Sequence, residues 1–214
     1  MIDPAHPLLL GSASPRRREI LATLGLPLRF AAAEIDETPR PGELPLDYLA
    51  RITGEKLAAV ARLPEAAGAG AVLVADTTVI LDDRPLGKPA DEAEARAMLR
   101  ALSGRAHHVS TCFAASGPPD VARARVTETV TSRVVFRALD DEEIALYAAT
   151  GEGLDKAGAY AVQGIGSFAV ARVEGSYSNV VGLPACEVVS ALRATGLLAR
   201  FPLPPSTMGG SRAP

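Results

Sequence analysis

The chain is predicted to fold as an α/β protein: a twisted mixed β-sheet flanked by helices, bent into two lobes around a cleft. Three observations lead there. Short apolar runs of strand length alternate with stretches of helical period in the first half of the chain. Longer β-rich stretches follow in the second half. No repeat or low-complexity linker divides the 214 residues, so they read as one domain over 1–201.

Leu8-Leu9-Leu10-Gly11 reads as a buried strand, broken by Ser12-Ala13-Ser14-Pro15. Ser14 suits an N-cap and Pro15 a first helical position, so a helix follows over 16–24, ended by Gly25. A second strand is expected over 28–33, a Pro/Gly-rich loop over 38–45 and a helix over 46–63. Residues 66–70 look like a flexible connection, and 71–75 form a strongly apolar strand ending at Asp76. A turn at 82–85 and a helix over 91–102 come next. β-rich stretches are expected over 107–115, 123–136 and 159–173, the last interrupted by Gly164 and Gly166. Helices are expected over 139–149 and 186–194. The Pro-, Gly- and Ser-rich tail, 202–214, should be disordered.

The net charge is −3, without the basic excess of a protein that coats nucleic acid. An anionic ligand would need a local cationic cluster, which favours a small phosphate-bearing molecule over a polymer. Cys112 and Cys186 lie far apart without metal-ligand spacing and read as ordinary, partly buried thiols. The N-terminus lacks the features of a signal peptide, and no apolar run is long enough to span a bilayer. A cytoplasmic location is the expectation.

Three sets of residues could carry chemistry. The first is Ser12-Ala13-Ser14-Pro15-Arg16-Arg17-Arg18, where a strand hands over to a helix. Backbone amides, hydroxyls and guanidinium forks there suit an anion; a plain helix cap followed by solvated arginines fits the spacing equally well. The second set is acidic: Glu34, Asp36, Glu37 and Asp76. Hard oxygens of this kind suit Mg²⁺ together with substrate phosphates. Loop acids are ordinarily just solvated, but Asp76 interrupts the most apolar strand, where an unpartnered carboxylate is costly. The third set is Lys56, Lys88 and Lys156, each unremarkable alone but jointly able to neutralise a polyphosphate. A Walker A loop, a zinc-binding His pair, an esterase elbow and a dinucleotide fingerprint are all missing.

These pieces resemble one family. Leu9-Leu10-Gly11-Ser12-Ala13-Ser14-Pro15-Arg16-Arg17 looks like the opening signature of Maf proteins. The likeness continues in order with Ala75-Asp76-Thr77, Leu86-Gly87-Lys88-Pro89, Asp155-Lys156-Ala157-Gly158-Ala159-Tyr160, Gln163-Gly164 and Asn179-Val180-Val181-Gly182-Leu183-Pro184. It implies a fold similar to inosine triphosphate pyrophosphatases and hydrolysis of nucleoside triphosphates to monophosphate and pyrophosphate with a divalent cation, Mg²⁺ or Mn²⁺. It also implies that Asp76 accepts a proton and that Arg16, Thr77 and Gln163 govern base choice. Ser12, Arg17, Lys56, Lys88 and Lys156 match phosphate-binding positions, with Asp155 nearby and Glu34 and Asp76 as metal ligands. The Asp-Thr pair and the Ala-Tyr-x-x-Gln-Gly run resemble the branch acting on dTTP and UTP. A 7-methyl-GTP preference and a non-catalytic, nucleotide-binding role in septum formation are the alternatives. A homodimer is the assembly the likeness suggests. Gly11 and Cys112 depart from the family's usual Ala and Gly, which leaves local packing open.

Overall fold

The computed structural model describes residues 1–118, 120, 121, 123 and 125–203. Seven strands form one mixed sheet among these residues. They are β1 (Leu8–Gly11), β2 (Leu28–Ala31), β3 (Ala71–Leu81), β4 (Arg84–Leu86), β5 (Ala106–Ser116), β6 (Val126–Phe136) and β7 (Val170–Glu174). The order is β2-β1-β3-β5-β6-β7, with β4 on β3. β1 pairs in parallel with β2 and β3, whereas every later pairing is antiparallel. The helices are α1 (Pro15–Thr23), α2 (Pro45–Val60), α3 (Glu92–Leu102), α4 (Asp141–Ala149), α5 (Tyr177–Val181) and α6 (Ala185–Ala194).

Two regions of core explain the two lobes. Around β1 and the first half of β3, Leu10, Leu21, Leu73, Phe113 and Leu192 pack on one face, and Leu9, Leu57, Val60 and Val74 on the other. Farther along the same long strands, Val79, Leu99, Leu102, Val134 and Phe136 form a separate core beneath α3 and α4. The sheet is continuous, and the cleft lies where one core gives way to the next.

β3 does not stop at Asp76 as the sequence suggested; it runs on to Leu81. The β-branched Thr77, Thr78, Val79 and Ile80 suit the antiparallel ladder with β5, which extends from Val72 to Ile80. Asp82 and Asp83, both at positive φ (50° and 59°), then turn the chain back into β4; Asp tolerates this left-handed conformation in tight hairpins. On its other edge, β3 pairs with β1 only through Leu73 and with β4 only from Val79. Residues 74–78 have no strand partner on that edge among the described residues, and Asp76 sits at the centre of this gap.

Other differences have local causes. Residues 66–70 are not a loose connection: Ala66 and Ala69 are buried under a 3-10 turn, Pro64–Ala66. Residues 159–173 are not a broken strand. The 3-10 turns Ala157–Ala159 and Ile165–Ala169, each with a glycine, break it up, and only β7 is a strand. Helix α5, five residues long, is too short to show a period in sequence. Leu203 packs against the first core, and the rest of the expected tail, 204–214, lies outside the described residues. Cys112 is fully buried and Cys186 exposed; both are free thiols.

Gly11 has a packing reason. A Cβ there would lie 2.7 Å from Val60 Cγ2 and 2.8 Å from Val74 Cγ1. Those valine methyls fill the space that an alanine would need. Gly11→Ala should therefore destabilise the fold by about 1–3 kcal/mol, the usual cost of overpacking. Urea denaturation checks this, and an unchanged midpoint would contradict it.

Candidate active site

Every catalytic, specificity, phosphate-binding or metal position that the family likeness implies, except Glu34, lines one cleft of about 750 Å³ at the gap in β3; Arg18 and Asp36 also lie outside its lining. The α1 N-terminus forms one wall. Ser14 sits at the N-cap, yet among the described residues no side chain caps the helix, so none of them competes with a ligand for the first-turn amides. Ser12 Oγ instead accepts from Ser14 N at 3.2 Å and from Arg17 Nη1 at 3.1 Å. With both lone pairs used, its hydroxyl proton is left to donate into the cleft.

Arg17 is buried and ties three elements together. Its Nε donates to Gly182 O at 2.8 Å and its Nη2 to Thr77 Oγ1 at 3.0 Å, besides the bond to Ser12. All three partners are neutral. Burial pushes its pKa below the usual guanidinium value, and the charges of Asp76 and Glu37, which it does not touch, partly offset this. A buried cation without a contacting carboxylate leaves a positive field that a phosphate can complete.

Thr77 Oγ1 also lies 2.9 Å from Thr111 Oγ1, so its hydroxyl is engaged inward. Beneath it, buried Asn179 donates to Val109 O and Ser132 Oγ, anchoring the α5 turn that presents the Gly182 carbonyl. Gly182 sits at φ 130°, a conformation that favours glycine. The Asn179–Pro184 run is thus scaffold for Arg17.

On the opposite face of β3, Lys56 Nζ of α2 donates to Asp76 Oδ1 at 3.0 Å and pairs with Glu37 Oε1 at 2.8 Å. Asp76 Oδ2 has no protein partner among the described residues. Tyr48, two turns before Lys56 on the same helix face, holds the loop by donating to Glu37 O at 2.9 Å. Arg51 adds a bond to Thr38 O and a fork to Glu43, whose carboxyl falls to about 2 chiefly through that bond. Glu34, by contrast, is exposed and outside the lining of the cleft. The extended chain after β2 turns its carboxylate away and brings Glu37 in. In sequence Glu37 reads as an ordinary loop acid; its neighbourhood is set by Tyr48 and Lys56, which come later in the chain.

The second lobe supplies the far wall. Arg16 Nη1 reaches across to Asp155 Oδ2 at 3.1 Å, and Lys156 pairs with the same carboxylate. Burial raises the Asp155 pKa, but these two cations outweigh it and hold it below the usual value. Lys88 and Gln163 are exposed in the lining, and neither has a hydrogen bond or ion pair among the described residues. Their polar groups are free for a ligand. No three His, Cys, Asp or Glu side chains converge as a metal cage among the described residues.

Below the cleft, buried His107 Nε2 meets Tyr160 Oη at 2.8 Å. Burial drops the His107 pKa to about 4. Unfolding frees the ring to bind a proton below its ordinary value of about 6.5. Stability from this group is therefore complete above about pH 6.5 and is lost progressively toward pH 4, by about 3 kcal/mol in all. Urea unfolding between pH 7.5 and 4.5 should show this slope, flattened in His107→Phe; equal slopes would contradict it.

The sequence model for the family "Maf-like protein" matches residues 7–195. The chain belongs to the Maf family. A dTTP/UTP pyrophosphatase of Myxococcus xanthus is 52% identical over 197 residues, covering 92% of this Maf chain and 94% of its relative. Another dTTP/UTP pyrophosphatase, from Sphingopyxis alaskensis, is 49% identical over 191 residues, covering 89% and 97%. Among solved structures, the Staphylococcus aureus Ham1 protein matches with a TM-score of 0.40 and 14% identity, over 63% of this chain and 72% of that one. A dITP/XTP pyrophosphatase from Mycobacterium abscessus gives 0.40 and 13%, over 92% and 99%. No helix among the described residues is long and apolar enough to cross a membrane.

Proposed function

We propose that this chain hydrolyses dTTP and UTP to the monophosphate and pyrophosphate. The observation that carries this reading is the convergence on one cleft, at the open edge of β3, of buried Arg17 and the Lys56–Asp76 pair. The choice of nucleotide follows the names of relatives 52% and 49% identical over nearly the whole chain. A cytoplasmic setting, where nucleoside triphosphates are made and used, fits the same reading.

The triphosphate lies against the uncapped α1 amides, with Ser12, Arg17, Lys88 and Lys156 as donors to its oxygens. Lys56 holds Asp76 by Oδ1, which leaves Oδ2 to accept a proton from the water that attacks the α-phosphorus. The bond from that phosphorus to the bridging oxygen breaks, and Arg17 and Lys88 stabilise the charge leaving on pyrophosphate. The carboxylates of Asp76 and Glu37, which meet on the same lysine, would hold Mg²⁺ or Mn²⁺ through oxygens other than the Oδ2 that takes the proton; the cation takes one or two carboxylates plus phosphates. We place the second carboxylate ligand at Glu37 rather than Glu34. When bound, the cation neutralises phosphate charge as a Lewis acid.

Pyrophosphate release from dTTP, UTP, CTP, 7-methyl-GTP and inosine triphosphate, with Mg²⁺, with Mn²⁺ and with chelator, tests the reading. Metal-dependent release from dTTP and UTP is expected. Release from 7-methyl-GTP alone would overturn the substrate assignment, and none from any nucleotide would overturn the activity.

Gln163 offers both a donor and an acceptor to the edge of a pyrimidine, and Arg16 and Thr77 border the same pocket. Gln163→Glu replaces the donor with a charge and should cut kcat/KM for dTTP and UTP by at least about tenfold. Unchanged kcat/KM for both would remove Gln163 from base recognition.

A further inference from the structure

Gln163 stands on a segment without strand pairing, between the turns at Ala157–Ala159 and Ile165–Ala169. A loop of this kind positions a side chain only if its own backbone is held. The holding group is Glu152, just past the end of α4 and outside the lining of the cleft. Its Oε1 accepts from Ile165 N at 2.8 Å and its Oε2 from Gly166 N at 2.8 Å. Oε2 also accepts from Tyr147 Oη at 2.8 Å. Tyr147 Oη in turn accepts from Ala161 N at 3.1 Å. The backbone is therefore clamped two residues before Gln163 and two and three residues after it.

The glycines of this loop fit the clamp. A Cβ at Gly164 would collide with the Glu152 carboxylate, and one at Gly166 with the Tyr147 hydroxyl. Burial raises the Glu152 pKa, but the bonds from Gly166, Ile165 and Tyr147 outweigh it, so the carboxylate is ionised and accepts all three at neutral pH.

We propose that Glu152, through Tyr147 and the amides of Ala161, Ile165 and Gly166, is a positioning residue that sets base selectivity by fixing Gln163. The inference rests on the pyrophosphatase reading above. Glu152 touches neither the phosphates nor Asp76. Its backbone carbonyl accepts from Lys156 Nζ, a bond that a side-chain substitution leaves in place. Loss of the carboxylate therefore loosens the base pocket while the phosphate grip and the proton acceptor stay where they are.

The test compares the unaltered protein with Glu152→Gln, Gln163→Ala and the double variant, measuring kcat and KM for dTTP, UTP and CTP. Glu152→Gln keeps the shape but presents an amide NH₂ to donors that need an acceptor. It should raise KM for dTTP and UTP about tenfold, hold kcat within about threefold and narrow the preference over CTP. Because Glu152 acts through Gln163, the double variant should be no less selective than Gln163→Ala alone. A Glu152→Gln protein with unchanged KM and preference overturns the proposal, as do effects that multiply in the double variant. A fall in kcat with KM unchanged would also overturn it. Should Glu152→Gln fail to fold, Tyr147→Phe decides by the same readouts. It removes one hydroxyl and keeps the ring packed on Phe168. Turnover of dTTP by the unaltered protein with no effect in the variants defeats this inference alone. No turnover of dTTP or UTP by the unaltered protein defeats the pyrophosphatase reading, and this inference with it.

Discussion

Asp76→Asn is expected to fold as the parent does and to lose turnover by about a hundred- to ten-thousandfold, the span usual for removing a general base. The asparagine carbonyl can still accept from Lys56, which lies 3.0 Å from Asp76 Oδ1, so the local bond survives. Lys56 also keeps Glu37 at 2.8 Å, so its charge is not stranded. What disappears is the basicity of the second oxygen. Thermal melting should overlay that of the parent while steady-state pyrophosphate release collapses. Turnover within about threefold of the parent would remove Asp76 from the chemistry.

Arg17→Ala should damage both stability and activity. The substitution leaves Ser12 Oγ, Thr77 Oγ1 and the Gly182 carbonyl without their guanidinium donor. Stability should fall by about 2–4 kcal/mol, given that bonds to charged groups contribute about 1.5–3 kcal/mol each and partial rehydration returns some of it. kcat/KM should drop at least about a hundredfold, as the charge facing the phosphates is lost with the fork that orients Ser12 and Thr77. Arg17→Lys restores a charge but not the three-way geometry, so it should recover stability only in part. Urea unfolding and steady-state kinetics on both variants check this. A folded Arg17→Ala protein of near-normal kcat/KM would show that the phosphates are held elsewhere.

The sequence made the fold legible wherever one local signal ruled. The apolar run at 8–11, Pro15 at a helix start and the helical stretch over 91–102 each led to an element at the expected place. It was misleading where tertiary context ruled. A charged residue in an apolar strand reads as an end, yet Asp76 sits mid-strand because the gap between β1 and β4 lets its carboxylate reach Lys56. The glycine-rich 159–173 stretch reads as broken strand, because nothing local announces that Glu152 will fold it into turns.

The site was legible as a set of residue types but not as a wiring diagram. By residue type Arg17 and Ser12 read as independent phosphate ligands, whereas the structure bonds each to the other. That Glu37 rather than Glu34 reaches Lys56 could not be read by counting along an extended loop. The deciding contacts come from Lys56 and Tyr48, on a helix later in the chain.

Hydrolysis of dTTP in heavy-oxygen water, with Mg²⁺ present, tests the central claim most directly. Attack of water on the α-phosphorus puts the label in dTMP, with none in pyrophosphate, and the reaction stops in Asp76→Asn. Label in pyrophosphate, or release of orthophosphate and dTDP, would place the attack on another phosphorus and contradict it.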